Sequence, residues 1–96
     1  KDYVIINFHG LWQRDTFKAD NEDRLKQSKL IKSVMDKLKL PVIFCGDFNL
    51  LPDSQSMAIL EKGMKNLIKD YGISATRSQF YPNRSSWPIT SWFRRV

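Results

Sequence analysis

Two short apolar runs and one helical periodicity dominate the hydrophobic pattern of the first half of the chain. Residues 3–8 are rich in β-branched and aromatic side chains, which is typical of a buried strand. Between about residues 22 and 39 apolar residues recur at helical spacing, and Pro41 then ends this helix. Residues 42–45 are apolar at every position, which predicts a second strand with both faces covered. The apolar stripe of the predicted helix consists of Leu30, Ile31, Val34, Met35 and Leu38.

The second half of the chain predicts a short helix followed by less regular extended pieces. Residues 52–54, Pro-Asp-Ser, offer capping chemistry for a helix to about residue 62, and Gly63 is suited to its C-terminal stop. We expect Met57 and Leu60 of this helix to face the core. Residues 66–68 and 73–76 have the composition of short strands. The order of strand, helix, strand and helix predicts an α/β architecture with helices packed on a sheet.

Length and composition limit the chain to one small domain. It has 96 residues, and two full-length strands make a poor sheet. The stretch from residue 80 onward is rich in serine and proline and predicts irregular structure. We therefore expect residues 1–96 to form a single partial domain, with residues 82–96 outside the regular pattern.

Charge and cysteine content narrow the classes of partner and compartment. The 16 Lys and Arg outnumber the 10 Asp and Glu, and a net charge of +6 favours anionic partners such as nucleic acid, phosphorylated ligands or acidic lipid. The single cysteine, Cys45, excludes an internal disulfide and a cysteine-based zinc site. We expect no membrane span and see no signal peptide, which slightly favours a cytoplasmic location although we expect the N-terminus to be missing. The sequence leaves the oligomeric state open.

Polar side chains are concentrated where the two predicted strands end. Asn7 and His9 close the first strand, and Asp47 and Asn49 follow the second. Ligands of open α/β sheets lie outside the carboxyl ends of the strands, so neighbouring strands would bring these residues to one edge. If the chain stays extended through Phe48, Asp47 and Asn49 share a face and Phe48 points into the core.

This set of residues suits the cleavage of phosphate esters. A carboxylate can take the proton from an attacking water, an amide can hold a phosphate oxygen, and an imidazole can stabilise developing charge. Structural roles are equally open at this point. Asp47 could form a turn or a cap, His9 could be a loop or packed histidine, and Asn7 could be a hydrogen-bonded strand end.

Two further groups of residues have alternative interpretations. Positions 24, 27, 31, 34 and 38 follow one helical face, so Arg24 and Gln27 either brace or contact the sheet edge, or are solvated residues of the first turn. A basic and aromatic cluster near the C-terminus could stack on a nucleic acid strand, or its rings could be buried in a longer chain. This cluster consists of Arg84, Trp87, Trp92, Arg94 and Arg95.

Four segments together resemble a known family. The stretch PVIFCGDFNLLPDSQSMAIL resembles the Gly-Asp-Phe-Asn segment of the endonuclease/exonuclease/phosphatase, or deoxyribonuclease-like, superfamily. In addition, VIINFHGLW resembles its strand ending in Asn-x-His, RLKQSKLI its Arg-x-x-Gln helix, and LIKDYGISATRS its threonine-bearing segment. The segments occur in the family's order, and the resemblance covers about residues 3 to 81.

The resemblance implies a fold, a chemistry and individual roles. It implies a four-layer α/β sandwich with mixed sheets, and a hydrolase that uses Mg²⁺ or Mn²⁺ in the complete domain. Asp47 would orient or deprotonate the attacking water, Asn49 would bind the phosphate, and His9 would stabilise the charge of the scissile group. Supporting or substrate-binding positions would be Asn7, Arg24 and Thr76.

The chain also departs from the family's pattern. It lacks the metal-binding glutamate that precedes the first strand, and it lacks the Asp-His pair expected after Tyr81, so the metal ligands remain unknown. We therefore expect a fragment of a phosphoesterase that is inactive alone. The alternatives are a non-catalytic basic α/β module that binds nucleic acid, or an inactive remnant. The substrate, whether DNA, RNA, an inositol phosphate or a lipid headgroup, stays open.

Overall fold

A pair of parallel strands joined by a helix forms one side of the sheet. The computed structural model describes residues 2–14 and 17–76, together with the backbone of residues 92–95, and these form a small mixed α/β domain. Its elements in chain order are β1 (Val4–His9), α1 (Glu22–Lys37), β2 (Val42–Asp47), α2 (Gln55–Glu61), β3 (Lys65–Asn66), α3 (Leu67–Asp70) and β4 (Trp92–Arg95).

The strand order of the sheet is β1-β2-β4-β3. β1 and β2 are parallel, with Val4 opposite Val42 and His9 opposite Asp47, whereas β4 runs antiparallel to both of its neighbours. The parallel pair requires a crossover, and α1 supplies it. The predicted α/β architecture with helices on a sheet is thereby confirmed, and the two predicted strands are neighbours.

The core lies on one face of the sheet. Phe44 and Phe48 are completely buried and stack with their ring centroids 4.5 Å apart, and the ring of Phe8 lies 5.5 Å from Phe44 and 5.7 Å from Phe48. Met57 and Leu60 of α2 are completely buried, as predicted. The other buried members of this core are Met35, Val42, Leu50 and Ile68.

The opposite face of the sheet is less well covered within the described residues. Val42 and Phe44 are buried, whereas Ile43 and Cys45 on the other face are only half-buried, and Ile5 on β1 is 62% exposed. The prediction that both faces of β2 are covered is therefore wrong for the part of the chain that the structure describes. The reason is that the described side chains of α1 and α2 that enter the core all pack on the Phe44 face.

The buried face of α1 differs from the predicted one. Arg24, Ser28 and Met35 are buried, while Leu30 is 65% and Val34 47% exposed. The predicted stripe is therefore wrong at Leu30, Val34 and Leu38, the last of which is exposed and lies just after the end of α1. The apolar residues of this stripe cover a wide arc of the helix, so the pattern alone does not fix which part of the arc faces the core. The small side chain of Ser28 is buried on the face that packs against the rest of the domain.

Local capping decides where the shorter elements begin. Ser54 caps α2 by accepting a hydrogen bond from the Met57 main-chain N–H at 3.1 Å, as the capping chemistry predicts. Asn66 caps α3 in the same way, so residues 67 and 68 are helical and the predicted strand at 66–68 is wrong beyond Asn66. Residues 73–76 contain no strand.

The C-terminal stretch contains one regular element that the sequence did not predict. Residues 92–95 form β4 within the segment for which the sequence predicts irregular structure. Residues 82–91 and 96 lie outside the described residues, and with them Arg84 and Trp87 of the basic and aromatic cluster. Elsewhere, the helices of the described ranges are all too short or too polar to cross a bilayer.

Candidate active site

The ends of β1 and β2 meet at one edge of the sheet. His9 lies directly opposite Asp47 in the parallel register, and the next main-chain N–H, that of Gly10, donates a 2.8 Å hydrogen bond to the main-chain oxygen of Asp47. His9 is exposed and Asp47 is half-buried. The imidazole and the carboxylate that the sequence singles out are therefore brought to the same edge, as predicted for neighbouring strands.

Two glycines permit this close approach of the strand ends. Gly46 has φ +132°, and a Cβ on it would overlap the main-chain oxygen of Phe8. A Cβ on Gly10 would likewise overlap the main-chain oxygen of Phe48. Because it has no Cβ, Gly46 allows the backbones of the two strands to approach closely.

Asn49 adopts a conformation that the sequence does not predict. β2 ends at Asp47, and Asn49 has φ +51°, in the left-handed region that asparagine tolerates better than most residues. Its side chain is only 4% exposed, and its amide nitrogen donates a 2.8 Å hydrogen bond to the main-chain oxygen of Gly10. The extended chain that would place Asp47 and Asn49 on one face is therefore absent.

The same residue orients the candidate catalytic carboxylate. The main-chain N–H of Asn49 donates to Oδ1 of Asp47 over 3.1 Å, which closes an Asx-type turn. Phe48, between the two residues, is completely buried among the aromatic rings of the core, as predicted. The packing of the neighbouring Phe48 therefore fixes the backbone at Asp47, and the hydrogen bond from the Asn49 N–H orients its carboxylate.

Arg24 and Gln27 brace the loop that follows His9. Oε1 of Gln27 accepts a 3.1 Å hydrogen bond from the Leu11 N–H, and Nε of Arg24 donates to the Leu11 oxygen over 3.4 Å. Arg24 also donates to the Ala19 oxygen over 2.7 Å, and its side chain is completely buried. Of the alternatives left open for Arg24 and Gln27, the structure therefore favours bracing over solvated residues.

The remaining predicted positions are less closely defined. Asn7 is exposed on β1, and its Oδ1 lies against Gly46, close to the strand ends. Thr76 is half-buried near the end of the described range 17–76. The supporting roles of both residues stay predictions.

Asp20 is an anchoring residue that the sequence reasoning missed. Its carboxylate accepts hydrogen bonds from the Gln55 N–H at 2.7 Å and from the N–H and hydroxyl of Ser56 at 2.8 and 2.6 Å. Burial opposes its ionisation, but the hydrogen bonds from Ser56 and Gln55 and the charge of Arg24 outweigh this effect and lower the pKa of the carboxyl below its ordinary value. No local pattern signals this contact, because its partners lie far apart in the sequence.

The described side chains do not complete a metal site. Within these residues, no group of three or more His, Cys, Asp or Glu side chains is placed to hold an ion. Asp47 offers a carboxylate, but the amide nitrogen of Asn49 is turned to Gly10. Although Mg²⁺ keeps several waters and needs only one or two carboxylates, a single carboxylate whose Oδ1 already accepts a hydrogen bond is a poor site.

Comparisons of the chain with models of protein families, with curated proteins and with solved structures gave no match. Functional inference therefore rests on the motifs of the sequence and on the geometry of the strand ends.

Proposed function

We propose that the chain is part of a metal-dependent phosphoesterase of the endonuclease/exonuclease/phosphatase type, which hydrolyses phosphodiester or phosphomonoester bonds. In this proposal residues 1–96 are an internal portion of a four-layer α/β sandwich. The observation that carries it is the register of β1 and β2, which sets His9 opposite Asp47 at the carboxyl edge of the sheet. The order of the motifs along the chain supports it independently.

Each residue has a definite task in the proposed reaction. Asp47 takes the proton from the attacking water, and its orientation by the Asn49 N–H keeps one carboxylate oxygen fixed while the other faces the water. The exposed His9 stabilises the negative charge that develops on the phosphate. Asn7 and Thr76 are supporting residues. Arg24 acts only as a support, because its side chain is completely buried.

A divalent cation, Mg²⁺ or Mn²⁺, belongs to the proposal through the family resemblance. When bound in the complete domain, such an ion would supply Lewis-acid chemistry. Its ligands would include residues beyond the described side chains, which alone do not form a suitable set. For this reason we expect the 96-residue chain to show no turnover by itself.

The test is hydrolysis of bis(p-nitrophenyl) phosphate and p-nitrophenyl phosphate by the complete protein. We expect turnover with Mg²⁺, loss of turnover in EDTA, and a fall of at least ~100-fold in rate for Asp47→Ala, as is typical when a general base is removed. Asp53→Ala, which changes an exposed carboxylate in the next loop, is the matched control and should retain activity. Full activity of Asp47→Ala would contradict the role of Asp47 as general base. Robust Mg²⁺-dependent cleavage by the 96-residue chain would contradict the proposal that it is an inactive fragment.

A non-catalytic basic module is the second candidate, because the net charge is +6. Steeply salt-dependent binding of nucleic acid by a complete protein that hydrolyses no phosphate ester would favour it. A protein that neither binds nor hydrolyses would favour an inactive remnant.

A further inference from the structure

The residue that follows His9 is fixed by the end of β2. The N–H of Gly10 donates to the main-chain oxygen of Asp47, and the Gly10 oxygen accepts from the side-chain amide of Asn49, both over 2.8 Å. Gly10 is buried, where a hydrogen bond is stronger than in water. The first residue beyond His9 is therefore held at both of its main-chain polar groups.

The second residue after His9 is fixed by α1 instead. The N–H of Leu11 donates to Oε1 of Gln27 over 3.1 Å, and the Leu11 oxygen accepts from Nε of Arg24 over 3.4 Å. Gln27 and Arg24 are three residues apart and so lie on one face of the helix. Leu11 is exposed and does not belong to the hydrophobic core, so these two hydrogen bonds anchor it.

The imidazole of His9 depends on these anchors for its direction. His9 is exposed, and within the described part of the chain no hydrogen bond holds its ring. The direction of its Cα–Cβ bond is instead given by the main chain on either side, which β1 fixes before His9 and the bonds of Gly10 and Leu11 fix after it. Loss of an anchor beyond His9 would therefore change where the ring lies relative to Asp47.

Gln27 is the anchor with the most local effect. Arg24 also donates to the Ala19 oxygen and is completely buried, so its loss affects the loop before α1 as well. Gln27 is half-buried, and within the described residues its side chain forms one hydrogen bond, the one from the Leu11 N–H. A change at Gln27 therefore acts on the segment after His9 with little effect elsewhere.

We propose that Gln27 is a positioning residue for His9 in the proposed hydrolysis. By holding the Leu11 N–H it fixes the main chain beyond His9 and keeps the imidazole where negative charge develops on the phosphate. A shift of about 1 Å in such a group can cost as much as ~100-fold in rate. Gln27 itself does not touch the substrate. The assignment deepens the phosphoesterase proposal and rests on it.

Two substitutions separate the hydrogen bond of Gln27 from its bulk. Gln27→Met keeps the length of the side chain but removes the oxygen that accepts from the Leu11 N–H. Gln27→Glu keeps an acceptor oxygen and replaces Nε2, which has no hydrogen-bond partner within the described residues. The guanidinium of Arg24, which also binds Leu11, compensates the added negative charge.

The first measurement is kcat and KM of the complete protein on bis(p-nitrophenyl) phosphate with Mg²⁺. Gln27→Met should lower kcat at least ~10-fold without a change in KM, because a misplaced His9 loses an interaction made only in the transition state. Gln27→Glu should restore most of this loss. Gln55→Met, the matched control, makes the same substitution at an exposed glutamine of α2 and should match the wild type. A wild-type kcat for Gln27→Met, or a loss that Gln27→Glu does not restore, would overturn the inference.

The second measurement shows whether Gln27 acts through His9. His9→Ala should lower kcat, and the double variant of His9→Ala and Gln27→Met should lose no more than His9→Ala alone, because Gln27 then has no imidazole left to position. A glutamine that only keeps the protein folded would instead lower kcat by the same factor in both backgrounds. Losses that multiply in this way would also overturn the inference.

A third measurement needs no activity, and it separates failure of this inference from failure of the proposed function. Hydrogen exchange followed by mass spectrometry reports on the Leu11 N–H in peptides that contain residues 9–12. Exchange there should be several-fold faster in Gln27→Met and close to the wild type in Gln27→Glu. Equal exchange in the wild type and Gln27→Met would overturn the inference even in an active enzyme. Faster exchange in a protein that hydrolyses no phosphate ester would reject the phosphoesterase and keep the hold of Gln27 on the segment after His9.

Discussion

The side-chain amide of Asn49 donates a 2.8 Å hydrogen bond to the main-chain oxygen of Gly10, 39 positions earlier in the chain. The N–H of Gly10 in turn donates to the main-chain oxygen of Asp47. Together these bonds connect the ends of β1 and β2 through both the N–H and the main-chain oxygen of Gly10. The relative position of His9 and Asp47 is therefore fixed by contacts that involve neither side chain.

Asn49→Ala should destabilise the protein by about 2–4 kcal/mol. The substitution leaves the Gly10 oxygen without its buried partner and places alanine in the left-handed region. A second variant, Asn49→Gly, separates the lost hydrogen bond from the backbone cost, because glycine loses the amide but tolerates the positive φ. Urea unfolding of Asn49→Ala and Asn49→Gly gives the two stabilities. Asn49→Gly should thus lie about 1–2 kcal/mol above Asn49→Ala in stability, and equal stabilities would contradict the backbone argument.

Gly46→Ala should prevent the close contact between β1 and β2. A Cβ at this position would overlap the main-chain oxygen of Phe8, so we expect a loss of more than about 4 kcal/mol or a failure to fold. Gly72→Ala is the matched control. It also has a positive φ, but a Cβ added there would meet no other atom within 4 Å, so its cost should be about 1 kcal/mol. Similar melting temperatures for the two variants would show that the crowding at Gly46 is unimportant.

Arg24→Met should destabilise the protein by about 2–3 kcal/mol. The guanidinium is completely buried and donates to the main-chain oxygens of Leu11 and Ala19, which the thioether cannot bind. Lys26→Met on the same helix removes an exposed partner of Glu22 and should change the free energy of unfolding by less than about 0.5 kcal/mol. Chemical denaturation of the two variants tests this, and a neutral Arg24→Met would refute the bracing role.

Asp20 should make stability depend on pH in the acidic range. Its pKa is lower in the folded than in the unfolded chain, so its stabilising contribution is complete above the unfolded value of about 4 and is lost as the pH falls through the folded value. The stability difference between the wild type and Asp20→Asn should therefore shrink as the pH is lowered from 6 to 3.

The control for this pH dependence is Ser56→Ala, which removes only the hydroxyl donor and keeps the two main-chain donors to Asp20. Its pH effect should have the same direction as that of Asp20→Asn and a smaller size. Urea unfolding at several pH values provides the data. A difference between the wild type and Asp20→Asn that stays constant from pH 6 to 3 would rule out this role for Asp20.

The sequence predicted the parts of the fold that local pattern determines. The two apolar runs are β1 and β2, Ser54 caps α2, and the polar residues at the strand ends lie at one edge. These features depend on side-chain alternation and capping, which are visible within a few residues. The pairing of β4 with β2 depends on residues far apart in the chain and leaves no local signal.

The candidate site was predictable in its residues but not in its geometry. Gly-Asp-Phe-Asn identifies Asp47 and Asn49, yet the shared face of these residues was conditional on an extended chain, whereas Asn49 turns into the left-handed region and binds Gly10. The competing principle is that a buried main-chain oxygen needs a partner, and the side-chain amide of Asn49 supplies one to Gly10 in that conformation. The anchoring of Asp20 on Ser56 was missed for a similar reason, since it joins the loop before α1 to the first turn of α2, 36 positions later in the chain.

The position of β4 between β2 and β3 has a consequence for the order of folding. β1, α1 and β2 are consecutive, so the strands that carry His9 and Asp47 are synthesised well before residues 92–95. The other side of β2 pairs with residues 92–95 and stays open until they have been synthesised. A ribosome-bound nascent chain would thus present an unpaired strand edge during that interval, and unpaired edges favour aggregation or capture by a chaperone.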